Sequence, residues 1–178
     1  MLHETLIPKY YPQDNELRRL LLRHSRQVAE RAVAIIDRHP ELGADRHFVY
    51  EAAMLHDIGI FLTHAPRIHC HGQAAYLQHG WLGAELMRRE GFPDFARVCE
   101  RHTGTGLTRQ QIEEQQLALP LQDFLPETIE EIIVCYADKF YSKSHIDREC
   151  TVEQAAQSLL RFGEEGVEKF LGWAAMFE

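Results

Sequence analysis

Several polar residues occupy positions where an amphipathic helix should carry hydrocarbon. His24 lies three residues after Leu21, four after Leu20 and four before Val28, on one helical stripe. His56 follows Ala52 by four residues and is itself followed by Asp57. His102 falls four residues after Val98 and three after Cys99, and Asp138 falls four after Val134 and three after Cys135. A buried carboxylate without a partner is costly, and an ion pair or a metal ion is the usual remedy. One inward histidine alone is ordinarily a hydrogen-bonded core residue. Three of them with two inward acids, each near the end of a different helical pattern, also suit a transition metal such as iron, manganese or zinc. Helical bundles build metal sites this way, with one or two ligands from each of several helices. On the residues alone, a hydrogen-bonded core and a metal site both stand.

The elements that must position these side chains are helical. Leu17, Leu20, Leu21, Val28, Ala32, Ile35 and Ile36 predict an amphipathic helix from about Glu16 to Arg38, stopping before Pro40. Asp45 is a good N-cap for a second helix, which carries Phe48, Ala52 and Leu55 on one face and ends at Gly59. Further helices are expected over about His79–Glu90 and Pro93–His102, the latter ending in Thr103-Gly104-Thr105-Gly106. Thr108 caps a short fifth helix, and Thr128-Ile129-Glu130-Glu131 reads as a capping box before an apolar helix, Ile132 to Phe140. Two more patterns follow, Thr151 to Phe162 and Gly166 to Met176. Alternating strand patterns are absent, and Phe61 to Tyr76, rich in His, Pro and Gly, reads as a substantial loop with a functional role. The expected fold is all-α, an irregular helical bundle. It forms a single domain over 1–178, with a core of about 15–145 and C-terminal helices at 151–178 that close the bundle or make a homodimer contact.

Bulk properties narrow the function classes. With 178 residues, 45% hydrophobic and 26% charged, the chain is of ordinary globular composition and long enough for a sizeable core. A formal net charge of −8 excludes a broadly basic face, and with it nucleic acid and anionic membranes as expected partners. A phosphorylated small molecule stays compatible, because local cations or metal ions can reverse the field inside one pocket. No basic leader runs into a long apolar stretch and no membrane span is expected. Cys70, Cys99, Cys135 and Cys150 form no CxxC pair, which suits reduced thiols in a cytoplasm, with most of them small buried residues. His3, His39, His47 and His145 join no constellation and read as surface residues.

His56-Asp57-Ile58-Gly59 spells HDIG, and the chain resembles the HD superfamily of metal-dependent phosphohydrolases over roughly residues 15 to 145. The upstream helical His24 and the downstream Asp138, within Ala137-Asp138-Lys139, fit the order of that family. The resemblance implies that His24, His56, Asp57 and Asp138 bind one divalent metal. The stretch from His79 to Glu85 is similar to the HxxxGAE segment of a two-metal branch, and Glu100-Arg101-His102-Thr103-Gly104 to its further histidine. By that likeness His79 and His102 are the extra ligands and Asp57 bridges two metals. Iron or manganese is expected, with zinc, magnesium, nickel and cobalt also admissible. The GYP segment and double histidine of cyclic-dinucleotide phosphodiesterases of the HD-GYP type are missing.

The resemblance implies hydrolysis of a phosphate ester or anhydride of a nucleotide-like small molecule by a metal-activated water, with Asp57 at the centre of the chemistry. Lys139, beside Asp138, is the expected cation for the leaving side, although a solvated helix-end lysine reads nearly as well. Arg67, Arg101 and His64 are weaker candidates for substrate contact, set against surface charges and a polar loop. The alternatives are a mononuclear nucleotidase, a di-iron oxygenase of the same family and a non-catalytic nucleotide-binding sensor.

Overall fold

The computed structural model describes all 178 residues. Nine α-helices dominate: α1 Leu2–Tyr10, α2 Glu16–Arg38, α3 Arg46–Leu55, α4 His79–Arg89, α5 Pro93–Arg101, α6 Arg109–Glu114, α7 Ile129–Asp138, α8 Val152–Leu159 and α9 Glu164–Phe177. No helix is long and apolar enough to cross a membrane.

The helix starts follow their capping chemistry. Asn15 accepts from the Arg18 N–H at the start of α2, and Asp45 accepts from the His47 and Phe48 N–H groups at the start of α3. Thr128 does the same for Glu131 in α7, which therefore begins one turn earlier than the apolar run suggests and ends at Asp138. Each cap satisfies a backbone donor that the helix cannot pair internally.

Two buried clusters flank the line of inward polar residues. The larger joins α2, α3 and α7 to the C-terminal helices, through Val28, Ile35, Val49, Tyr136, Phe170 and Phe177 among others. The smaller joins α1, the N-terminal part of α2, the end of α3, α4 and α5, through Leu6, Leu21, Leu55, Met87 and Cys99. His24 lies on α2 between Leu21 of one cluster and Val28 of the other. The C-terminal helices close the bundle: the Phe170 ring stacks on Tyr136 at 5.0 Å between centroids and Phe177 meets it edge-on at 5.2 Å.

Two features depart from the sequence expectations. The N-terminal segment forms α1, and His3, expected at the surface, is buried. The cause is Glu51, buried on α3, whose carboxylate accepts the His3 backbone N–H at 2.9 Å and faces its ring Nδ1 at 3.0 Å. Next to α1, the Tyr11 hydroxyl donates to the Ile58 carbonyl at 2.8 Å and so holds the turn after His56. The stretch expected as a loop contains a small sheet, with β1 Thr63–Ala65, β2 Cys70–His71 and β3 Ala74–Ala75 in the order β2-β1-β3. β1 runs antiparallel to β2, with His64 opposite His71, and parallel to β3, with Thr63 opposite Ala74. Strands of two or three residues are too short to show a period of two in sequence.

Glycines allow three chain segments to meet at backbone distance. A Cβ on Gly59 would lie 2.3 Å from the His79 carbonyl oxygen and 2.4 Å from the Gly83 nitrogen. A Cβ on Gly80 would lie 2.5 Å from the Cys99 carbonyl oxygen. The turn after His56, the start of α4 and the end of α5 are thus pressed together, which is what brings their histidines to one place. Gly59→Ala should destabilise the protein by about 3 kcal/mol, because the clash is with backbone rather than a movable side chain. For a chain of this size that is a fall in Tm of roughly 6 to 12 °C, read by thermal unfolding. An unchanged Tm would show that this close approach does not constrain the fold.

Candidate metal centre and its cavity

Six side chains converge from five helices. His24 comes from the middle of α2, His56 from the C-cap of α3 with Asp57 next to it, His79 from the first position of α4, His102 from the C-cap of α5 and Asp138 from the last position of α7. All but the partly exposed Asp138 are buried.

Asp57 stands in the middle, and its two oxygens face different partners. Oδ2 lies 3.2 Å from His24 Nε2 and 3.3 Å from His56 Nε2. Oδ1 lies 3.3 Å from His79 Nε2 and 3.5 Å from His102 Nε2. Asp138 Oδ1 joins the first group, 3.1 Å from His24 Nε2 and 3.4 Å from His56 Nε2. Two groups of ligand-type atoms, His24–His56–Asp138 and His56–Asp57–His102, each fall within 4.8 Å.

The local turns set the tautomers. The Nδ1 atoms of His56, His79 and His102 lie 2.6, 2.7 and 2.6 Å from the carbonyl oxygens of Ala53, Tyr76 and Cys99, each three residues earlier. A carbonyl only accepts, so each Nδ1 carries a proton, and in the neutral rings of His79 and His102 Nε2 turns a lone pair to the centre. His79 Nε2 and His102 Nε2 face each other at 2.9 Å, two acceptors with no proton of their own to share. His56 Nε2 and both Asp57 oxygens are buried without a hydrogen bond of proper geometry. Orphaned buried acceptors directed at one another fit the requirements of a bound cation.

The electrostatics agree. Burial pushes the His79 pKa down to about 3 and also lowers that of His102, so both rings are neutral at ordinary pH. Burial also works against a charged His56, yet Asp57 and Asp138 more than reverse it and hold the pKa at about 9. Burial opposes ionisation of Asp57 and Asp138. The Lys143 ammonium overcomes this at Asp57 and that of Lys139 at Asp138, with histidines assisting, and both carboxyls stay well below the usual range.

The centre opens into a cavity of about 480 Å³ whose lining includes His79, His102 and Asp138. That is within the range of sites for small organic ligands. Its basic lining residues are Arg67, Lys139, Lys143 and Arg161, against the single carboxylate of Asp138. In a chain of net charge −8 the cavity therefore carries the opposite sign. Tyr76, Tyr141 and Phe162 add aromatic surface.

The expected substrate contacts divide. Arg67 is exposed and lines the cavity. Lys139 lines it too, but its ammonium donates to the His102 carbonyl and to Asp138 Oδ2, both at 2.7 Å. Arg101 does not reach the cavity. Its guanidinium donates to the Leu125 carbonyl at 2.9 Å and pairs with Glu127 at 3.0 Å, drawn away by those acceptors. His64 sits exposed on β1, outside the lining residues. Sequence reasoning missed Lys143, whose Nζ lies 2.5 Å from Asp57 Oδ2. It lies in a 3-10 turn over Lys143–His145, beyond α7, and no helical period marks it.

Comparison with known proteins identifies the family. The HD-domain family profile matches residues 21–142, and the chain belongs to that family. It is 38% identical over 128 residues to a tRNA (cytidine(56)-2'-O)-methyltransferase of Picrophilus torridus, covering 71% of this chain and 33% of that protein. It is 34% identical over 146 residues to the protein of the same name in Thermoplasma volcanium, covering 82% and 38%. An uncharacterized protein of Methanocaldococcus jannaschii is 38% identical over 115 residues, 64% of this chain and 59% of that one. The chain thus spans between a third and three fifths of the length of these relatives. Among solved structures, the HD domain of the L. monocytogenes phosphodiesterase PgpH in complex with cyclic-di-AMP superposes with a TM-score of 0.54 at 19% identity, covering 99% of this chain and 85% of that one. The same domain in a second structure gives 0.50 at 16% identity, with 93% and 100% covered. At such identity the likeness establishes a shared fold.

The depressed histidines predict acid sensitivity in protein stripped of metal. Below the unfolded value near 6.5 the unfolded chain binds protons at His79 and His102 that the folded chain refuses until about pH 3 at His79. Each of these two histidines therefore lowers stability as pH drops, by up to about 1.4 kcal/mol per pH unit, while His56, raised to about 9, offsets one of them above about pH 6.5, so the net fall is steepest between pH 6 and 5. Denaturant unfolding of chelator-treated protein at pH 7, 6 and 5 measures this. A flat profile would mean that these rings are not buried neutral.

Proposed function

We propose that this chain is a metal-dependent phosphohydrolase with a dinuclear centre, acting on a nucleotide-like phosphate ester or anhydride. The observation that carries the reading is the division of Asp57: one oxygen addresses His24 and His56, the other His79 and His102. In this reading His24, His56, Asp57 and Asp138 would hold one cation, and Asp57, through its other oxygen, would hold a second with His79 and His102. A divalent pair so held supplies a water of near-neutral pKa and neutralises charge on the phosphate oxygens.

The chain's own residues do the rest. The carbonyls of Ala53, Tyr76 and Cys99 keep three imidazoles in the tautomer that presents Nε2. Arg67, Lys143 and Arg161 draw an anionic group into the cavity, and Tyr76, Tyr141 and Phe162 offer faces on which a base can lie. The membership in the HD family and the cyclic-di-AMP held by the PgpH domain support a nucleotide over other phosphate esters. Iron or manganese suits the mixed imidazole and carboxylate donors. The methyltransferase name belongs to proteins of which this chain matches only 33–38%, so it bears on their whole length rather than on this centre.

Metal content tests the proposal. Protein purified without chelator or oxygen should hold close to two iron or manganese ions per chain, and Asp57→Asn should hold essentially none. The double variant His79→Ala/His102→Ala should retain one. One metal in the unaltered protein would replace this reading with a mononuclear nucleotidase. No metal, even after reconstitution with iron, manganese or zinc, would overturn the enzyme altogether.

A further inference from the structure

The two lysines near the centre are placed differently. The Lys139 ammonium is committed to the His102 carbonyl and to Asp138, and so ties the end of α7 to the end of α5. The Lys143 ammonium has no carbonyl partner. Its counter-charge is Asp57 Oδ2, the same oxygen that faces His24 and His56. Its side chain is nearly buried at 11% exposure and lines the cavity. Anchors on α2 deliver it there: Gln27 Nε2 donates to the Ile146 carbonyl at 3.0 Å, and Arg23 pairs with Asp147.

An ammonium and a divalent cation cannot share one carboxylate oxygen without strong repulsion in a dry site. A cation held by Asp57 would repel the Lys143 ammonium, whose flexible four-carbon stem leads to the cavity. There the other charges are Lys139, Arg67 and Arg161 with Asp138, so the counter-charge a displaced ammonium lacks is that of the ligand. We propose that Lys143 is the residue that grips the substrate phosphate, exchanging Asp57 for the phosphate as the metals bind, and that Lys139 is a positioning residue. This rests on the phosphohydrolase reading above, and it reverses the sequence expectation that Lys139 is the catalytic cation.

The test compares Lys143→Met, Lys143→Arg and Lys139→Met with the unaltered protein. Two readouts are used: affinity for Mn(II) alone, and affinity of the manganese-loaded protein for inorganic phosphate, both by calorimetry. Lys143→Met should bind manganese several-fold more tightly, because a competitor is gone. It should bind phosphate about tenfold to a hundredfold more weakly, the effect of losing one charge-assisted contact. Lys143→Arg should restore phosphate affinity to within about threefold. Lys139→Met, once loaded, should keep it to a similar margin. Unchanged phosphate affinity in Lys143→Met would overturn the assignment, as would weakened manganese binding, which would make Lys143 a support for Asp57. If the unaltered protein bound neither manganese nor phosphate, the metal centre itself would fall and this role with it, an outcome distinct from any change confined to the three variants.

Discussion

Asp57 is a carboxylate removed from water at the meeting point of five helices, with both oxygens exposed to imidazole nitrogens and one also to an ammonium. Desolvating such a charge costs several kcal/mol, and the cost is offset only by positive charge held close and in good geometry. The rest of the centre answers that requirement. His24, His56, His79 and His102 are drawn from four helices packed in pairs, α2 on α3 and α4 on α5, and Asp138 adds a second negative charge that deepens the demand for cations. A hydrocarbon core would tolerate rearrangement in a way that this cluster does not, because each displaced partner leaves an uncompensated charge.

The backbone meets that demand through close approach. The turn following His56 can touch the start of α4 only because Gly59 and Gly83 carry no side chains there, and α4 can touch the end of α5 only because Gly80 carries none. Every contributing histidine except His24 stands at a helix terminus, where its Nδ1 finds a carbonyl three residues back. The terminus thus supplies both the position and the tautomer. α1 adds to this from outside, since Tyr11 holds the carbonyl of Ile58 and Glu51 holds His3. The N-terminal segment is thus part of the support for the turn that carries Asp57.

The charge of the cavity opposes that of the chain as a whole. The chain carries a formal net charge of −8, while Arg67, Lys139, Lys143 and Arg161 collect beside the centre. The two lysines are held differently: Lys139 by the His102 carbonyl and Asp138, which tie the ends of α5 and α7, and Lys143 by Asp57 Oδ2.

The sequence by itself determined the helices from α2 onward, their caps, and the inward faces that carry His24, His56, His102 and Asp138, because helical period and capping are local. It determined membership in the HD family through His56-Asp57-Ile58-Gly59 and the order of its partners, and through that likeness pointed to His79. It left α1 and the small sheet unread, since α1 is held by a buried Glu51 and strands of two or three residues show no period. It could not say which partner each cation meets. Lys139 stands next to Asp138 in the chain, yet its ammonium is taken up by the His102 carbonyl across the bundle, and Arg101 is pulled aside by Glu127 and Glu131. Lys143 reaches Asp57 although 86 positions separate them in the numbering, from a turn with no pattern to announce it. Which carboxylate oxygen meets which histidine, and which ammonium meets which acid, are decided by distances between segments remote in the chain, and only the packed tertiary structure sets those.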